Sequence, residues 1–190
     1  MEWSPVDGTL TPMPVLAQTP RVAPPEDTPT TGETAEASGW LPEAFVSIAY
    51  GDEGEFYTAH AGAERLFDPV NRFAVVPQLG AGLTRNTDGD YPAVVSFDLQ
   101  LRWYFWEPAG WRLFLEGGGG LQYVGPESFP RSGTHFNGRL RAGVGARYRL
   151  DDRLDLLGGV GWLHVSNANV LPVNVGHDGP MFFLGLSKSF

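Results

Sequence analysis

A chain of 190 residues, 42% apolar and 13% aromatic, suits a single ordered domain, and its 25 Gly and 16 Pro imply many turns. The absence of Cys excludes disulfides, thiolate catalysis and Cys-based zinc sites. A net charge of −9 argues against nucleic acid as a partner, because phosphate binding needs a concentrated positive surface.

Residues 1–42 are rich in Pro, Thr and Glu and show no sustained hydrophobic period. Such a segment cannot bury enough apolar surface to offset the entropy of ordering it, and a disordered leader is expected, with a folded lid as the alternative. No Lys or Arg precedes Arg21 and no continuous apolar core follows, so the chain lacks a secretory signal and reads as processed, trimmed or misassigned at its start. No run approaches the roughly eighteen apolar residues of a membrane-spanning helix, which excludes a helical membrane protein and leaves barrels untouched.

From residue 43 the texture changes to short alternating strands separated by turn residues. The first, at 44–51, sets Val46, Ile48 and Tyr50 on one face, and the second, at 56–66, alternates poorly. In the third, at 72–83, Phe73, Val75, Leu79, Ala81 and Leu83 oppose Arg72 and Gln78. The fourth, at 95–106, opposes Val95, Phe97, Leu99, Leu101, Trp103 and Phe105 to Ser96, Asp98, Gln100, Arg102 and Tyr104. The fifth, at 111–124, carries Trp111, Leu113, Leu115, Leu121 and Tyr123 against Arg112, Phe114, Glu116 and Gln122. Its glycine run at 117–120 is not followed by the Lys and Ser/Thr or the helix of a phosphate loop, and is expected where strands curve or the interior is crowded. The sixth, at 136–150, alternates aliphatic residues with Arg139, Arg141, Arg147 and Arg149, which are expected to face a lumen and pair with Asp98 and Glu116.

A polar face bearing bulky charges on successive strands, opposite an apolar face that is aromatic at its ends, is the inside-out pattern of a membrane barrel. The connections alternate in length as such a barrel requires, with short ones at 68–71, 107–110 and 151–153 and longer ones at 86–92, 125–135 and 167–179; of the external connections only the first, near 52–55, is short. The fold expected for residues 43–190 is therefore all-β, an eight-stranded antiparallel transmembrane β-barrel of the outer membrane.

The seventh strand, at 154–166, ends on His164 and Ser166, which alternation places on the same, lipid-facing side as Trp162. Asp178 follows at the mouth of the last strand, on the face of Phe182, Leu184, Leu186 and Phe190. A hairpin between these strands would return the carboxylate to the imidazole, and a base beside a nucleophile with a carboxylate behind it is the arrangement of a serine hydrolase. His60, His135 and His177 have no such partners and read as surface or lumen residues, and the segment 86–90 reads as a turn, since it lacks the spacing of a calcium loop.

The pattern His164-x-Ser166-Asn167-Ala168, followed by Asn174-x-Gly176-x-Asp178 near the end of a β-rich chain, resembles the PagL family of outer-membrane lipid A 3-O-deacylases. The resemblance implies a general base at His164 and a nucleophile at Ser166. Asp178 stands where the family usually carries Glu, one methylene longer. It implies ester hydrolysis at the 3-position of lipid A, with lipopolysaccharide as substrate, surrounding outer-membrane lipid as partner, and neither cofactor nor metal; a homodimer is left open. Oxyanion donors would come from the side chain of Asn167 or Asn174, or from backbone N–H groups near Asn169. Two alternatives remain: a non-catalytic outer-membrane barrel serving as adhesin or anchor, and a soluble barrel holding a small apolar ligand.

Overall fold

The computed structural model describes residues 39–125, 134–168 and 176–188. They form eight strands: β1 (Leu41–Gly51), β2 (Gly54–Asp68), β3 (Phe73–Asn86), β4 (Ala93–Trp106), β5 (Trp111–Gly125), β6 (Phe136–Arg149), β7 (Leu154–Ser166) and β8 (His177–Lys188). Each pairs antiparallel with the next in sequence, and β8 returns to β1 through a register running from Glu43 opposite Ser187 to Ala49 opposite Met181, closing the barrel. The eight expected strands are therefore present. The poorly patterned second one is 15 residues long and carries a register irregularity between Leu66 and Asp68. Its outward positions include the small Ala59, Ala61 and Ala63, which blur the hydrophobic alternation. Phe190 and the leader before residue 39 lie outside the described residues.

The outer wall is apolar. Leu79, Leu99, Leu115, Leu140, Val160 and Leu184 are exposed around its middle. Aromatic side chains gather toward the two rims: Tyr50, Tyr57, Tyr123 and Phe136 at one, Phe73, Trp103, Trp111 and Tyr148 at the other. In outer-membrane barrels such girdles mark the two lipid–water boundaries, and the longer loops face the outside. The rim carrying the 87–92, 126–135 and 167–176 connections is thus the external one. At the first of these, Asn86 Oδ1 accepts the N–H groups of Asp88 (3.1 Å) and Asp90 (2.9 Å), forming the expected turn.

The lumen is packed with charge. Arg102 bridges Glu43 at 2.9 Å and Glu116 at 2.8 Å and also pairs with Glu64. Arg147 reaches Glu43 at 2.9 Å and Glu64 at 2.8 Å, and Arg141 reaches Glu116 at 3.1 Å. Arg139 Nε lies 3.3 Å from Asp98. Tyr104 donates its hydroxyl to Glu64, and Gln78 links Glu43 to Arg141 with two bonds of 2.9 Å. Arg139 and Arg141 thus meet the expected acids, whereas Arg147 pairs with Glu43 and Glu64 instead. Two further arginines depart from the expected inner face. Arg72 sits outside β3 at φ 62°, with its guanidinium 3.8 Å from Glu107, and Arg149 is exposed at the barrel end. Both fall at strand ends, where alternation no longer dictates direction.

Two expected outcomes follow from this division of faces. Glu64→Ala removes a buried carboxylate partner from Arg102, Arg147 and Tyr104 and should lower stability by about 1 to 3 kcal/mol, read as a shifted urea midpoint of the detergent-folded barrel. Leu99→Arg, on the lipid side near the middle of β4, should cost about 2 to 4 kcal/mol in vesicles. Ala109→Arg, in a water-exposed turn, should cost much less.

Candidate active site

Strand alternation carries Trp162, His164 and Ser166 to the outward side of β7, and Asp178, the second residue of β8, to the outward side of its own strand. His164 and Asp178 are direct cross-strand partners, so even the short Asp side chain spans the gap. His164 Nδ1 stands 2.9 Å from Asp178 Oδ1, and His164 Nε2 stands 3.0 Å from Ser166 Oγ. The carboxylate can only accept, so Nδ1 carries the proton, and Nε2 is left to accept from the serine hydroxyl. The three groups thereby form a continuous acid–base–hydroxyl chain.

The surroundings leave this chain approachable. The His164 and Asp178 side chains are 36% and 56% exposed, on the convex wall rather than in the lumen. Ser166 lies opposite Gly138 of β6, which has no side chain to set over the hydroxyl; a methyl group there would meet the Ser166 carbonyl oxygen at 3.6 Å. Beside Asp178, Gly179 has the reverse function: any Cβ there would strike the Tyr50 carbonyl, so glycine is what lets β1 and β8 close next to the carboxylate. Immediately after Ser166 the chain turns sharply. Ala168 adopts φ 53°, an uncommon conformation for a residue bearing Cβ.

Of the expected supporting residues, Asn167 is buried, on the opposite parity from Ser166, and Asn169 and Asn174 lie outside the described residues. Pattern reading gave Trp162 no part in the site, because an outward Trp near a rim is the ordinary signature of a membrane boundary. Its indole Nε1–H in fact donates to Asp178 Oδ1 at 3.2 Å. The remaining histidines stand apart. His60 lies in the lumen, stacked on Phe45 with its Nε2 2.9 Å from Thr58 Oγ1 and 3.1 Å from Ser47 Oγ. His177 is buried edge-on to Phe56, and His135 Nδ1 lies 2.7 Å from the Val124 carbonyl. Among the described residues no group of three or more His, Cys, Asp or Glu side chains is arranged to hold a metal ion.

The structure of the outer-membrane enzyme PagL superposes with a TM-score of 0.60 at 19% identity, covering 75% of this chain and 97% of that one. Neisserial surface protein A superposes with a TM-score of 0.58 at 15% identity over 80% and 98% of the respective chains. The N-terminal β-barrel domain of Pseudomonas aeruginosa OprF gives 0.51 at 16% identity over 80% and 96%. At these identities the likeness establishes the small outer-membrane barrel fold. No curated protein sequence matches the chain. The family model described as lipid A 3-O-deacylase (PagL) matches residues 57–187, from β2 to the penultimate described residue of β8. The chain accordingly belongs to the PagL family of lipid A 3-O-deacylases, as an outer-membrane β-barrel.

Proposed function

We propose that this protein is a serine esterase that hydrolyses the 3-position acyl ester of lipid A in the outer leaflet, with Ser166 as nucleophile, His164 as general base and Asp178 as the acid that orients it. The observation that carries the reading is the chain of hydrogen bonds from Asp178 through His164 to Ser166, on the lipid-facing wall at the external end. In an enzyme acting on dissolved substrate, catalytic groups on a convex outer surface would be misplaced. Here the substrate is the surrounding lipid, and the wall is where its ester meets protein.

The chemistry follows from the polarity of the chain. His164 Nε2 takes the Ser166 proton as Oγ attacks the ester carbonyl, and Asp178 stabilises the imidazolium that results. The tetrahedral oxyanion needs N–H donors at about 3 Å, and the 167–176 connection, with Asn167, Asn169 and Asn174, is where we place them. Collapse breaks the acyl carbon–oxygen bond and passes the His164 proton to the departing sugar oxygen. Water then attacks the acyl-enzyme, giving its proton to His164, and the fatty acid leaves as Ser166 regains its hydrogen.

Purified protein mixed with lipid A should release a 3-hydroxy fatty acid, detected by mass spectrometry, and Ser166→Ala or His164→Ala should reduce the rate by on the order of a thousandfold or more. A fully active Ser166→Ala variant would remove the nucleophile from the scheme, and a wild-type protein without turnover would favour a non-catalytic barrel. Asp178→Ala should lower kcat by about a hundredfold with little change in KM, because the carboxylate acts on the imidazolium that exists only along the reaction path. Asp178→Glu, which keeps the charge and lengthens the arm, should retain more activity than Asp178→Ala in the same assay.

A further inference from the structure

We infer that Trp162 is a positioning residue for the acid of this site: its indole N–H fixes the Asp178 carboxylate so that one oxygen serves both the indole and His164. The inference rests on the triad proposed above. Its geometric basis is that Nε1 of Trp162 and Nδ1 of His164 converge on the same atom, Asp178 Oδ1, at 3.2 and 2.9 Å.

An exposed aspartate needs such a restraint. More than half of the Asp178 side chain is open, and among the described residues its ion pair is with His164. Left with one hydrogen bond, a carboxylate on an outward strand can swing between rotamers and take its oxygen away from the imidazole. A second donor on that oxygen, fixed in direction by a bulky ring, narrows the choice to the productive one.

The sheet geometry explains why the ring can reach. Trp162 lies two residues before His164 on the same face, and its direct cross-strand partner is Pro180, which leaves Asp178 as the diagonal neighbour. Diagonal positions lie about 7 to 8 Å apart, a gap that an aromatic side chain spans. The Pro180 side chain bears no polar group that could draw the indole N–H away. A tryptophan holding only a place in the interfacial girdle would direct its N–H to water or headgroups, whereas this one directs it to a catalytic carboxylate.

The test is a double-mutant cycle in the full-length, detergent-purified barrel, using Trp162→Phe, Asp178→Ala and the pair. Phenylalanine keeps an aromatic ring and loses the N–H. Two rates are read: turnover of lipid A, and covalent labelling of Ser166 by a fluorophosphonate, which reports the nucleophile without needing lipid A. Trp162→Phe should lower kcat and labelling by about tenfold at unchanged KM, the loss appropriate to one hydrogen bond to a charged group. In the Asp178→Ala background it should cost nothing further, because there is no carboxylate left to hold. An undiminished tenfold loss in that background would overturn the inference, as would a Trp162→Phe variant as active as the wild type or a raised KM with kcat intact. Labelling without lipid A turnover would refute the substrate while the cycle still decides the role of Trp162. No labelling of wild-type Ser166 would refute the triad and this inference together.

Discussion

A peptide group facing hydrocarbon has no water to bond, so every strand in a bilayer must find partners on both edges, and the pairing of β8 with β1 is where this sheet meets that demand. The rest depends on that seam. Closure divides each strand into an outward side that must be apolar and an inward side that must satisfy itself. It also sets β8 rigidly between β7 and β1, so Asp178 is presented to His164 by a wall with no free edge.

The inward side is held by exchange between guanidinium and carboxylate groups contributed from distant strands. Glu43 on β1 and Glu64 on β2 meet Arg102 on β4 and Arg147 on β6, and Arg141 ties β6 to Glu116 on β5. Charges at these positions repel a wrong register as firmly as they hold the right one, which suits a sheet whose outward side offers lipid little to discriminate. The outward side carries the Asp178–His164–Ser166 chain at the external rim, where headgroups and water begin and a charged side chain is cheapest to expose.

Much of this was legible in the sequence, for a physical reason. Period-two alternation survives wherever one side of a strand meets lipid and the other meets charge, and β4 and β6 display it over most of their length. It faded in β2, whose outward alanines are weakly apolar, and at strand ends, where Arg72 and Arg149 turn away from the lumen. Alternation also put His164, Ser166 and Asp178 on one side, but not the opposition of His164 to Asp178, which depends on hairpin register. Asp98 and Glu116 were legible as partners of the arginine row, and Arg139 and Arg141 meet them, but Glu43 and Glu64 as partners of Arg147 were not, since these groups are brought together only by closure. Trp162 escaped because one residue type serves two purposes at a membrane boundary, and only the direction of its N–H tells them apart.

The filled interior carries a last implication for traffic. With arginines and acids interlocked across the bore, neither a sugar headgroup nor a fatty acyl chain can thread through the protein from the periplasm. For the proposed hydrolysis, reactant would therefore arrive sideways, by diffusion within the leaflet, and the liberated acid would depart the same way. Encounter is a two-dimensional search, set by lipid mobility and crowding along the surface of the cell, so the abundance of the barrel per unit area governs throughput more directly than its concentration in any volume.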